Sequence, residues 1–327
     1  MISENILHMK RVDLFMLALL MLVSSCSDKF QVVDPAEPVP VIYFMMNPED
    51  SVFYLSLTRT FSGDLDAYEL AGDPDRVFYD SADIRLEAWE GQYKVQELQF
   101  SLSDRVKNPG LFPQVPGNCY EAINTFHREG EIDSYRIVVQ AEGMTDSAFA
   151  RIKEIRPSPQ PPWYPRQIDF YPEGYRYDVE KNPLLYQQLL CKFHYQVFKE
   201  TWVDKTETFI LRKRTNAVGL EDDPILRAEF FFTRLAANIK PVHDTIIRKF
   251  VSFDLIFYTA DQHYLDYVET YEKYGDLDLP PKGNIINGYG LFSMFTIKRY
   301  EDMVLGQQSL DSLSMGQFTR HLGFVRW

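Results

Sequence analysis

The chain has 327 residues, 45% of them hydrophobic and 25% charged, which is too apolar for a disordered chain and too long for one ordinary domain, so two domains are expected. Its 34 Lys and Arg against 47 Asp and Glu leave a net charge of −13, and this argues against a nucleic-acid partner because phosphate binding needs a basic face. Aromatic residues reach 15%, with 24 Phe and 20 Tyr, a mix that favours pleated, half-buried surfaces over helical bundles.

The N-terminus has the order of an export signal. Lys10 and Arg11 form a short positive region, residues 14–23 are an apolar run of ten, and the small residues Ser24 and Ser25 precede Cys26. The run falls far short of the ~20 residues that a spanning helix needs. Residues 1–25 are therefore read as a signal peptide, with translation expected to begin at Met9, since Glu4 and His8 fit the positive region poorly. The stretch Leu22-Val23-Ser24-Ser25-Cys26 resembles the bacterial lipobox. That resemblance implies a mature chain beginning at Cys26 and held to the membrane by acyl chains such as palmitate on that cysteine, each buried methylene contributing ~0.8 kcal/mol. With Cys26 acylated, Cys119 and Cys191 remain, in a compartment where disulfides form; a bridge between them is one reading, and two free buried thiols is the favoured one.

Residues 26–37 are polar and read as a tether between lipid and folded chain. Two β-rich runs, 39–46 and 51–60, flank the turn residues Asn47-Pro48-Glu49-Asp50 and predict a hairpin. Alternation returns at Ile84, Leu86 and Ala88, at Tyr93, Val95, Leu98 and Phe100, at Tyr135, Ile137 and Val139, and over 148–155, each marking a strand with one face on a core. About seven strands without a convincing amphipathic helix predict an immunoglobulin-like β-sandwich over residues 38–156. Residues 157–165 hold five prolines in nine positions, too few backbone donors for a sheet interior, and form the expected domain boundary. Trp163 and Tyr164 lie in this linker, where exposed rings could stack on a glycan or a peptide; wedging the two domains together is the competing role.

The second domain, 166–327, is expected to be β-rich as well, with strands at 189–198, 206–213, 228–235, 246–259 and 291–298. One main helix is predicted. Thr259 with Gln262 three residues later matches a capping box, and no Gly or Pro follows up to Tyr274. Tyr264, Tyr267, Tyr271 and Tyr274 share one face of that helix, either as a platform for a ligand or, the favoured reading, as a stripe packed on the sheet.

The helix segment Gln262-His263-Tyr264-Leu265-Asp266-Tyr267 and the following loop Gly283-Asn284-Ile285-Ile286-Asn287-Gly288-Tyr289-Gly290-Leu291-Phe292, together with the lipobox and the sandwich, resemble a Bacteroidota outer-membrane lipoprotein family, a domain of unknown function often encoded beside TonB-dependent transporters. Leu184-Leu185-Tyr186-Gln187 departs from it, standing where an aspartate and paired tyrosines are expected. The resemblance implies an outer-membrane location and a transporter as neighbour, and no activity.

Signatures of chemistry are sparse. The six histidines, His8, His127, His194, His243, His263 and His321, show no metal-ligand spacing. Gly288 and Gly290 lack the third glycine of a dinucleotide loop and precede a strand. The acid pairs Asp64 and Asp66, Asp73 and Asp75, and Asp276 and Asp278 stop short of a calcium loop and read as solvated turns. No metal, cofactor or catalytic residue is assigned. The expected function is that of a non-enzymatic envelope lipoprotein accessory to TonB-dependent nutrient uptake, with direct glycan or peptide binding as the alternative and a hydrolase assembled only in three dimensions as the third.

Overall fold

A computed structural model describes residues 37–61, 66–105, 119–127, 132–155, 166–176, 185–214, 225–241, 246–274 and 283–326. Residues 1–36, which include the expected signal peptide, Cys26 and most of the expected tether, and residues 156–165, the expected linker with Trp163 and Tyr164, lie outside the described residues. The fold is mostly β.

The predicted hairpin forms from β1 (Pro40–Met46) and β2 (Val52–Arg59). Its turn is closed by the Asp50 amide donating to the Asn47 carbonyl at 3.0 Å and by the Asn47 side chain donating to Asp50. Two short helices follow, α1 (Ala67–Ala71) and α2 (Pro74–Val77), where no helix was expected. Asp73 caps the second by accepting from the Asp75 amide, a local role for one of the acid pairs. Strands β3 (Ala82–Glu90), β4 (Tyr93–Gln99), β5 (Ser101–Leu102), β6 (Cys119–Ile123), β7 (Ser134–Ala141) and β8 (Ala148–Lys153) complete the first half. They lie in two sheets, β5-β6-β2-β1 and β4-β3-β7-β8. Ile42, Phe44 and Met46 of one meet Ile84, Leu86, Ile137 and Val139 of the other in a single core, so the period-2 alternation marks the faces correctly.

In the second half, β11 (Tyr186–Phe198), β12 (Trp202–Arg214), β14 (Ile247–Ala260) and β15 (Tyr289–Leu305) form antiparallel neighbours in the order β12-β11-β14-β15. The two-residue strands β9 (Gln167–Ile168), β10 (Tyr175–Arg176) and β13 (Ile225–Leu226) are minor pairings. Three helices belong here: α3 (Ala228–Asn238), α4 (Gln262–Tyr274) and α5 (Gln307–Met315). The strand expected at 228–235 is thus a helix. Its Phe230-Phe231-Phe232 run has strand propensity, yet Phe231, Phe232, Leu235 and Ile239 fall on one helical face and are buried in the second core. Tertiary packing outweighs local preference there.

Strand β15 belongs to both halves. Residues 289–294 run parallel to β1, and residues 295–303 run antiparallel to β14, so the two four-strand groups are one continuous sheet. Phe292 and Met294 enter the first core; Tyr300, Met303 and Leu305 enter the second. The glycine-rich loop before β15 makes this junction. Asn284 accepts from the Phe292 amide at 2.9 Å and donates to its carbonyl at 2.7 Å, and Ile286 and Phe149 of β8 exchange backbone bonds of 2.8 and 3.1 Å. Gly290 has φ +106°, and a Cβ there would fall 1.9 Å from the Ile42 carbonyl oxygen, so only glycine lets β15 reach β1. The loop singled out in the sequence closes the sandwich.

Candidate functional site

Exposed and packed aromatic rings meet where α4 crosses the shared strand. Because Phe292 and Met294 point into the first core, Tyr289, Leu291 and Ser293 point to the outer face of the sheet. Leu291 and Ser293 are nonetheless buried, because α4 packs over β15. Asp261 fixes that crossing. Its carboxylate accepts from the Tyr264 amide at 3.1 Å, the Ser293 hydroxyl at 2.8 Å and the Met294 amide at 2.9 Å. Burial raises its pKa, while these bonds and His263 act in the opposite direction. Asp261 is the helix cap; Thr259, the residue expected in that role, is buried at the end of β14. Local spacing does not reveal Asp261, because two of the hydrogen bonds that fix it come from β15.

The tyrosine stripe is divided by this arrangement. Tyr264 packs edge-on to Tyr186 at 5.0 Å, in a small cluster with Leu265 and Ala260. Tyr267 turns toward β1 and meets Tyr43 edge-on at 6.3 Å. Burial first, and Tyr43 next, push the Tyr267 phenol up to about 12. Tyr271, one turn on, is 63% exposed, and the Tyr274 side chain lies outside the described residues. On the sheet, Tyr43 and Met45 are 41% and 37% exposed. Packing therefore explains the first tyrosine of the stripe and part of the second. Tyr43 could not be placed beside the helix from sequence, because the contact depends on β15 pairing with β1.

A cleft of about 740 Å³ opens at the start of α4, between the two halves. Arg151 and Asp133 line it from the sandwich, Asp261 and His263 from the helix, over an apolar floor of Ile152, Ile155 and Leu185. Arg151 and Asp133 are engaged within the sandwich itself. Arg151 donates to the Ser134 hydroxyl at 2.8 Å and the Gly91 carbonyl at 2.9 Å, and its guanidinium lies over Trp89. The Ser134 hydroxyl and the Gly91 amide, both 2.6 Å from Asp133, hold its carboxyl below the ordinary range.

His194 is the other polar centre. Its Nδ1 lies 2.9 Å from Thr206 Oγ1 and its Nε2 3.0 Å from Asp254 Oδ2. The order resembles a nucleophile, base and acid, but the three are neighbours on adjacent strands β12, β11 and β14, with His194 opposite Thr206 and Lys192 opposite Asp254. A cross-strand polar ladder accounts for them. Among the described residues no group of three or more His, Cys, Asp or Glu could hold a metal ion. Asp64, Asp276 and Asp278 lie outside the described residues, as do His8 and His243. Cys119 and Cys191 are both free; Cys191 is buried in the second core, which raises its pKa well above the ordinary thiol value.

The chain matches no family model, no curated protein and no solved structure.

Proposed function

We propose that the mature chain is a non-enzymatic cell-envelope lipoprotein, acylated at Cys26 and held at the outer membrane, that serves as a binding accessory of a TonB-dependent nutrient-uptake system. The observation that carries this reading is the N-terminal sequence: a positive pair, ten apolar residues and Leu22-Val23-Ser24-Ser25-Cys26. Among the described residues no helix is long and apolar enough to cross a membrane. The sandwich order β5-β6-β2-β1 against β4-β3-β7-β8 supports an immunoglobulin-like module, a scaffold suited to presenting surfaces. The engagement of Arg151, Asp133 and Asp261 with their own protein neighbours favours binding over catalysis.

Extraction of the native envelope in mild detergent and capture of the tagged protein tests the accessory role. A TonB-dependent outer-membrane barrel is expected in the eluate. Recovery without any such barrel would overturn the proposal. A second reading, direct capture of a glycan or peptide, is favoured by the exposed tyrosines beside α4; Trp163 and Tyr164, the residues first expected to serve it, lie outside the described residues.

A further inference from the structure

We infer that the step between β1 and α4 is a binding site for a neutral polysaccharide, with Tyr43 and Met45 as its floor and Tyr267 and Tyr271 as its wall. The floor is the outer face of the first sheet, left open where α4 stops covering it after β15. Tyr43 sits opposite Ser56 of β2, an exposed residue small enough to leave the ring face accessible. Tyr267 meets Tyr43 edge-on at 83° between ring planes, so floor and wall form a corner. Isolated exposed aromatics are ordinary on protein surfaces. Here, however, a 63% exposed Tyr271 continues a wall whose preceding ring is already fixed against the floor. A fixed pair of rings loses little entropy when a ligand arrives.

The chemistry of the corner selects the ligand class. The four residues carry no formal charge at neutral pH, and Arg105, at the edge of the same sheet, lies over the Tyr54 ring at 4.4 Å. None of the four residues offers an anionic chain a cationic partner. Ring faces carry the negative end of the aromatic quadrupole, which suits the weakly positive C–H face of a pyranose, and the phenol hydroxyls supply donors and acceptors for its equatorial hydroxyls. This site rests on the second reading, direct capture of a glycan, and does not depend on the transporter-accessory reading.

The test uses the full mature lipoprotein in a non-glycosidic detergent, lauryldimethylamine oxide, run through native gels containing amylopectin, arabinoxylan, galactomannan or mixed-linkage β-glucan, with polygalacturonate as the anionic control. Retardation by at least one neutral polysaccharide is expected, with Tyr271→Ala and Tyr43→Ala each weakening the apparent affinity about tenfold or more. Tyr271 is too exposed for its removal to unfold the chain, and an unchanged thermal midpoint confirms this in the same preparation. No retardation by any neutral polysaccharide, retardation by polygalacturonate alone, or unaltered binding by Tyr271→Ala would each overturn the inference. If Tyr271→Ala instead abolishes co-purification of the barrel while no polysaccharide binds, the step is a protein-docking surface and the polysaccharide assignment is wrong. Polysaccharide binding without any recovered barrel would leave this site standing and remove the transporter reading.

Discussion

The two halves of the molecule build their cores in different ways. The first half lays two sheets face to face, yet its core includes Ile285, Phe292 and Met294 from the far end of the chain. The second half covers one face of a single sheet with α3 and α5 and draws its buried residues from 168 onward. The difference teaches that the sandwich depends on a strand of its neighbour. Strand β15 supplies both cores, and the exposed corner of Tyr43 and Tyr267 exists only because that strand brings β1 and α4 together.

The largest expected effect comes from removing the shared strand's anchor. Phe292 is fully buried and stacks on Phe44 with centroids 5.2 Å apart; Phe292→Ala should cost about 3–5 kcal/mol. Phe253→Ala, at the centre of the second core, should cost a similar amount. If β15 couples the halves, both variants lower one common calorimetric transition. Two resolved transitions, with each variant moving only its own, would break the comparison by showing that the halves unfold independently.

A smaller effect is expected at the helix cap. Asp261→Ala leaves the Ser293 hydroxyl and the Met294 and Tyr264 amides without their acceptor, a loss of roughly 2–3 kcal/mol from the cap and the stranded donors together. Amide hydrogen exchange should accelerate at Tyr264 and along the first turn of α4 before it does so in β3 or β7. Uniform acceleration across both sheets would contradict a local role for Asp261.

The smallest effect is a pH dependence. Burial first, and the neighbouring Tyr43 next, raise the Tyr267 phenol from 10.0 to about 12, so the folded state favours the neutral form. That contribution is complete below pH ~10 and is lost as pH rises through about 12. Tyr267→Phe cannot ionise, and should reduce the decline in urea stability between pH ~10 and ~12. Tyr79, Tyr120 and Tyr195 are raised as well, also by burial, so a residual slope remains. An unchanged slope in the variant would show that Tyr267 ionises as freely folded as unfolded.

Much of the sandwich was legible because its strands bury one face. Ile42, Phe44 and Met46 alternate with exposed or half-exposed residues, and the pattern at Ile84, Leu86 and Ala88 locates β3 in the same way. Strand β15 shows why the rest was not. Leu291 to Met294 are buried on both faces, one by the first core and the other by α4, so alternation vanishes where the strand changes neighbours. The aromatic run at 230–232 misled for a related reason, since local propensity does not register which face a distant sheet will cover. At the candidate site the spacing of Tyr264, Tyr267 and Tyr271 was visible in the sequence. Their division into packed and exposed rings was not, because it depends on Tyr43 and Tyr186, which reach the helix only through tertiary pairing.

The claim on which the functional account rests is lipid attachment at Cys26, and metabolic labelling with palmitate followed by cell fractionation tests it most directly. Wild-type protein is expected to take up label and to sediment with the membranes. Cys26→Ala is expected to take up none and to appear as soluble or unprocessed chain, because the apolar run of residues 14–23 is too short to span. An unlabelled wild type, or a mutant that is processed normally and still sediments with the membranes, would contradict the account.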